Sequence, residues 1–543
     1  MIKKIFFSIL SFGIFFGCND INKEEADLLV INANVYTVDD EFSTAEAFVV
    51  KDGKFLAVGS SKDLQEKYNA AEVFDAQGKT ILPGLIDAHA HFYGLGSTMQ
   101  TVNLTGTKSF EEVVARITEF QKEKNSDFIV GRGWDQNDWE VKEFPVKDTL
   151  DVLFPDTPVA ITRIDGHALL ANQAALDAAG ITLNTPAEGG EIEKKNGELT
   201  GILIDNPMAL VENAVPQTSL EDQTFALLDA QKEVFQYGLT TVNDAGLDRS
   251  TIELIDSLQQ TGELDVRIYA MISNTKENLD YFLDRKPFKT DKLNVRAVKF
   301  YADGALGSRG AALKQPYSDK HNHFGALLSS VADFKATAAR IAGSEYQMNT
   351  HAIGDSANVV VLKTYDSLLA DAGDRRWKVE HSQVIAPEDF KYFSKNIIPS
   401  VQPTHATSDM YWAQERLGPE REKGAYAYKK LLDEAGIIAL GTDFPVEQVS
   451  PFLTFYAAVA RKDTKNYPEG GYMPEQALTR EEALRGMTIW AAYSNFEEDE
   501  KGSIEPGKFA DFVILDRDIM KVSEEQIPDM KASATYLGGK KVY

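Results

Sequence analysis

The sequence predicts an α/β protein built on a (β/α)8 barrel, with a small β domain made from the two ends of the chain. Three observations carry this reading. After residue 81, eight apolar strand-like runs alternate with amphipathic helical stretches. Short β-rich runs separated by turn signals occur both before residue 80 and after residue 500. Histidines and acids fall at the carboxyl ends of the predicted barrel strands, the face that holds the active site in barrels of this type. A length of 543 residues suits one large domain with a smaller one beside it.

Taken in chain order, residues 1–18 read as an address. Lys3 and Lys4 precede an apolar stretch over 5–16, and Gly17-Cys18 follows. That stretch is too short to span a bilayer, which takes about 20 residues. It fits the apolar region of an export signal. With Cys18 at the cleavage point it resembles a bacterial lipoprotein signal, which makes Cys18 the lipidated residue. The expectation is an exported cell-envelope lipoprotein, on the periplasmic side or the cell surface, held to the membrane by lipid alone. Residues 19–26 read as a polar tether. Runs at 28–31, 35–38, 47–50 and 55–58 join runs at 512–515 and 534–537, so 27–80 and 500–543 form one β domain. The barrel covers 81–499, with strands expected at 81–88, 239–244, 266–272, 295–301, 346–351, 377–382, 397–402 and 437–442. Residues 92–235 carry strand-like runs of their own at 127–132 and 158–164 and read as an insertion covering the catalytic end. A doubly wound sheet is the structural alternative. No Gly-rich phosphate loop follows the first strand, which counts against its dinucleotide-binding form.

Composition removes several classes of function. Lys and Arg number 56 against 83 Asp and Glu, a formal net charge of −27, which repels nucleic acid. One cysteine excludes a disulfide framework, a Cys-based zinc site and an iron–sulfur cluster.

The chemistry lies in eight histidines and a few strand-end residues. His89 and His91 end the first strand, and alternate residues of a strand share a face, so both imidazoles can reach one ion. Lys299 stands inside an apolar strand, where lysines are rare unless paired or functional. A neutral amine there adds carbon dioxide to give a carbamate, an oxygen ligand able to bridge hard cations; pairing with Asp303 is the plainer reading. His351 and His381 end consecutive strands and join His89 and His91 as metal-ligand candidates. Asp443 follows the last strand and can bind metal and take a proton from activated water, whose pKa falls to about 7 on a metal. His405 follows the seventh strand and can bind substrate or steady an oxyanion. Arg309 can hold a carboxylate or the Asp303 side chain. Trp134 and His167, in the insertion, can form a pocket wall. His321 and His323 sit in a polar, solvated loop.

With these residues placed, the chain resembles the amidohydrolase superfamily, in particular amidohydrolase family 3, the branch that includes N-substituted formamide deformylase. The resemblance rests on residues 82–91, 131–135, 189–192, 199–201, 299–309, 350–355, 380–383, 441–443 and 507–511. It implies a distorted (β/α)8 barrel with a composite β-sandwich domain and two divalent metals, usually zinc. It implies that His89 and His91 bind the buried metal and that carboxylated Lys299 bridges both. It further implies that His351 and His381 bind the exposed metal, and that Asp443 binds metal and serves as general base, then as acid toward the leaving nitrogen. A one-metal site stays open.

The function read from this is hydrolysis of a non-peptide C–N bond in an amide, N-acyl or cyclic amide small molecule. The alternatives are an isomerase or an ester or lactone hydrolase on the same metals, and an envelope binding lipoprotein on a decayed enzyme scaffold. A homodimer stays open.

Overall fold

The computed structural model describes residues 23–543, apart from residues 165, 167, 188 and 189. The segment read as an export signal, with Cys18, and His167 lie outside the described residues. Among the described residues no helix is long and apolar enough to cross a membrane.

Eight parallel strands form the expected barrel: β1 (Leu85–Ala90), β2 (Leu239–Leu247), β3 (Arg267–Ser273), β4 (Leu293–Tyr301), β5 (Gln347–Ala352), β6 (Trp377–His381), β7 (Ile397–Val401) and β8 (Ala439–Leu440). They neighbour one another in chain order. Their residues are buried almost without interruption, as strands covered on both faces must be.

β8 is too short to complete a ladder with β1, and other bonds close the seam. The Asp443 N–H donates to the His89 carbonyl at 2.8 Å, and the His91 N–H to the Phe444 carbonyl at 2.8 Å. Between them the buried Asp87 carboxylate accepts the Thr442 hydroxyl at 2.7 Å and the backbone N–H groups of His89 and Thr442, both at 3.1 Å.

The sequence reading placed one strand over 81–88. The structure splits it. Thr80–Pro83 pairs with Asn34–Tyr36 and with Phe512–Leu515 in a six-stranded sheet, and the barrel strand starts only at Leu85. The break falls at Gly84, where a Cβ would lie 2.2 Å from Thr240 Oγ1. The first strand, Glu24–Ile31, also begins within the span read as a tether, because Glu24–Ala26 pair with Tyr68–Ala70. That strand belongs to a four-stranded sheet which shares an apolar core with the six-stranded one, through Leu28, Val30, Phe48, Phe55, Phe512 and Ile514. Both chain ends therefore build one β-sandwich. Residues 102–205 supply a separate six-stranded sheet between β1 and β2.

Gly441 is the tightest point of the seam. A Cβ there would meet the His89 nitrogen at 2.5 Å and Asp87 Oδ1 at 2.7 Å, neither of which can yield without opening the join. Gly441→Ala is expected to lower unfolding stability by roughly 1–3 kcal/mol in denaturant titration, the usual cost of overpacking.

Candidate metal centre

The carboxyl ends of the barrel strands bring His89, His91, Lys299, His351, His381 and Asp443 to one place. Donor atoms of His89, His381 and Asp443 all lie within 4.8 Å of one another. Asp443 Oδ1 is 3.3 Å from His91 Nε2 and 3.6 Å from His89 Nε2. The His351 and His381 rings lie 4.4 Å apart, and the His89 and His381 rings 4.9 Å apart.

The tautomers follow from the hydrogen bonds. His89 Nδ1 faces Glu380 Oε2 at 2.6 Å, His91 Nδ1 the Ala245 carbonyl at 3.0 Å, and His381 Nδ1 Gln402 Oε1 at 2.8 Å. Each partner is an acceptor, so Nδ1 carries the proton and Nε2 keeps its lone pair. Partners of this kind orient the histidines of metal sites. Burial keeps three of the imidazoles neutral: it pushes His351 down to about 3, and lowers His89 and His381 as well. Two buried acceptor atoms at the cluster, His351 Nε2 and Asp443 Oδ1, have no hydrogen-bond partner among the described residues. Inward lone pairs, a carboxylate and orphaned acceptors fit a divalent cation.

Lys299 is buried, and no carboxylate lies within ion-pair distance of it among the described residues. Its Nζ is 3.0 Å from His89 Nε2, and burial lowers its pKa. Asp303 is not its partner. That carboxylate accepts the backbone N–H groups of Ala312, Ile353 and Gly354 at 2.8, 3.0 and 2.8 Å, and so ties the loop after β4 to the loop after His351.

His405 stands beside Asp443. Its Nε2 is 3.2 Å from Asp443 Oδ2 and its Nδ1 3.1 Å from Glu447 Oε1. Burial opposes charge on this ring, but the two carboxylates outweigh it and raise its pKa to about 10. Burial likewise opposes charge on Asp443, yet the hydrogen bond from His405 holds it well below the usual carboxylate range.

Other expected site residues lie elsewhere. Arg309 pairs with Asp319 at 2.7 Å rather than with Asp303. Trp134 is 0% exposed in the core of the insertion, against Trp139 and Phe144, with its indole N–H on the Ile161 carbonyl. It has no free surface to offer a substrate. His323 is not simply solvated: it packs on Tyr317 and its Nε2 bonds the Arg309 carbonyl at 2.9 Å.

Sequence reasoning missed the acids behind the cluster. Asp87 and Glu380 are two. Asp244 is another; it accepts the N–H groups of Phe92 and Tyr93 and so anchors the helix that starts after His91. Asp244 ends the strand expected over 239–244, much as Asp443 follows the one expected over 437–442, and that signal was available. Glu447 gave none.

A parallel barrel that gathers imidazoles and a carboxylate at its strand ends is the scaffold of a metal-using barrel enzyme. The sequence model of the amidohydrolase family matches residues 72–543, and the chain belongs to that family. It is 34% identical to Protein LONG AFTER FAR-RED 3 of Arabidopsis thaliana, over 95% of this chain and 92% of that one. It is 26% identical to the N-substituted formamide deformylase of Arthrobacter pascens, over 94% and 97%. Among solved structures, a metal-dependent hydrolase from Pyrococcus horikoshii superposes with a TM-score of 0.76 at 28% identity, covering 92% of this chain and 99% of that one.

Asp303→Ala leaves three loop N–H groups without their acceptor. A stability loss on the order of 3 kcal/mol is expected. Hydrogen exchange should quicken at Ala312, Ile353 and Gly354, and unchanged exchange there would refute the anchoring role.

Proposed function

We propose that the protein is a metal-dependent hydrolase that cleaves a non-peptide C–N bond, in an amide, N-acyl or cyclic amide, with Asp443 as general base. The observation that carries this is the set of inward Nε2 lone pairs around Asp443 Oδ1, which has no hydrogen-bond partner among the described residues. His89 and His91 would hold one divalent ion and His351 and His381 a second. Lys299 as a carbamate would join them, and zinc suits this donor set. Such ions supply Lewis acidity to a substrate carbonyl and make water acidic near neutral pH.

The chain's own residues do the rest. His405 occupies Asp443 Oδ2 and leaves Oδ1 to face the cluster. Oδ1 accepts a proton from the attacking water and returns it to the leaving nitrogen. The positive charge of the His405 ring also stands beside the reacting centre, where it can steady negative charge on oxygen. Lys299 Nζ lies 3.0 Å from His89 Nε2, whose lone pair a metal would take. Conversion of the amine to a carbamate removes this competition, because a donor becomes an acceptor.

The family membership and the likeness to a metal-dependent hydrolase support hydrolysis, and the formamide deformylase relative supports a C–N bond. Ester or lactone cleavage and isomerisation would use the same residues. The complete donor set speaks against a decayed binding scaffold. For location, we propose the cell envelope, from the lipoprotein-like start at residues 1–18.

A screen of N-acyl amino acids, formamides, dipeptides and lactones is expected to give turnover on an amide-type substrate. On that substrate Asp443→Asn should cut kcat by roughly 10²–10⁴-fold, the usual worth of general acid–base catalysis, with metal content retained. Near-wild-type turnover in the variant would end the assigned role, and turnover confined to lactones would end the C–N assignment.

A further inference from the structure

We propose that Glu380 is a positioning residue for the metal centre, holding His89 so that its Nε2 lone pair is turned on the cluster. This rests on the reading of the cluster as a metal site.

Glu380 and His89 are both 0% exposed, and they face each other across the barrel interior from β6 and β1. The contact is 2.6 Å, from Nδ1 to Oε2. Among the described residues no lysine or arginine lies within ion-pair distance of Glu380, and its Oε1 has no hydrogen-bond partner. A buried carboxylate carries a heavy desolvation penalty, and among the described residues the imidazole N–H is the one close group that opposes it. A carboxylate accepts at its oxygens, so with Oε2 2.6 Å from Nδ1 the imidazole donates there and Nε2 is bare.

Glu380 also differs from its counterparts. His91 and His381 donate to a carbonyl and an amide oxygen, both neutral. His89 alone of these three donates to a full negative charge, which makes its Nε2 the strongest donor atom of the set. A cross-barrel stitch with no bearing on metal would give the same distance, so the test must separate affinity from stability.

Zinc affinity of the purified wild-type and Glu380→Gln proteins, measured by competition with a chromophoric chelator, makes that separation. The glutamine keeps the shape and an acceptor but removes the charge. The expected result is zinc binding weakened roughly 10–100-fold, the usual effect of losing such a partner, in a variant with the wild-type circular dichroism spectrum. A folded variant with wild-type zinc affinity overturns the inference. If the variant does not fold, nitrogen-15 NMR of the metal-free wild type decides: His89 protonated on Nδ1 with a bare Nε2 supports the inference, and protonation on Nε2 overturns it. A wild-type protein that takes up no zinc overturns the metal reading itself, which is distinguishable from a loaded wild type with an unaffected variant.

Discussion

The site depends on how the barrel's first and last strands are joined. β8 offers two residues of ladder, so the seam is carried by crossing backbone bonds and by the Asp87 carboxylate. Those bonds involve the proposed ligand residues themselves: Asp443 donates to the His89 carbonyl, and His91 donates just beyond Asp443. The register of the seam is thus the register of the site. Residues 355 positions apart in the chain, Asp87 and Thr442, fix where His89, His91 and Asp443 meet. Two strand-end site residues pay in backbone strain, with Asp443 at φ 64° and His381 at φ 70°, the left-handed region that residues with a side chain avoid.

A second layer of buried acids supports the first. Asp87 holds the seam, Asp244 the helix after His91, Asp303 the loop after His351, and Glu380 the ring of His89. Each buries a carboxylate and offsets the desolvation with N–H groups of a ligand-bearing segment. Burial raises Asp87 and Asp303 to about 7 even so. The outcome is a set of side chains whose directions are fixed before any ion or substrate arrives, which is what catalysis by fixed groups requires.

The barrel was legible because its strands are apolar runs of the right number and spacing. The residues of the strand-end cluster were legible because histidine and aspartate at strand ends are hard to explain as packing. The missed features share a physical cause. Asp303 looked like a partner for Lys299 or Arg309, but it accepts backbone N–H groups from its own loop and from a loop fifty residues on, and backbone partners leave no mark in the side-chain sequence. Trp134 looked like a pocket wall because an aromatic beside an acid reads as binding; it is instead the packing centre of the insertion. The strand over 81–88 read as continuous because a single glycine is a weak break signal, and the close approach of Thr240 that makes Gly84 necessary is a tertiary fact.

The central claim is that the strand-end cluster binds divalent metal. The most direct test is metal content by mass spectrometry, on protein starting at residue 19 and incubated with zinc and bicarbonate, beside a Lys299→Ala variant. The account predicts about two tightly held ions per chain, as a bridged pair of nitrogen- and oxygen-ligated sites requires, and fewer in the variant. No tightly held ion in the wild-type protein would contradict it.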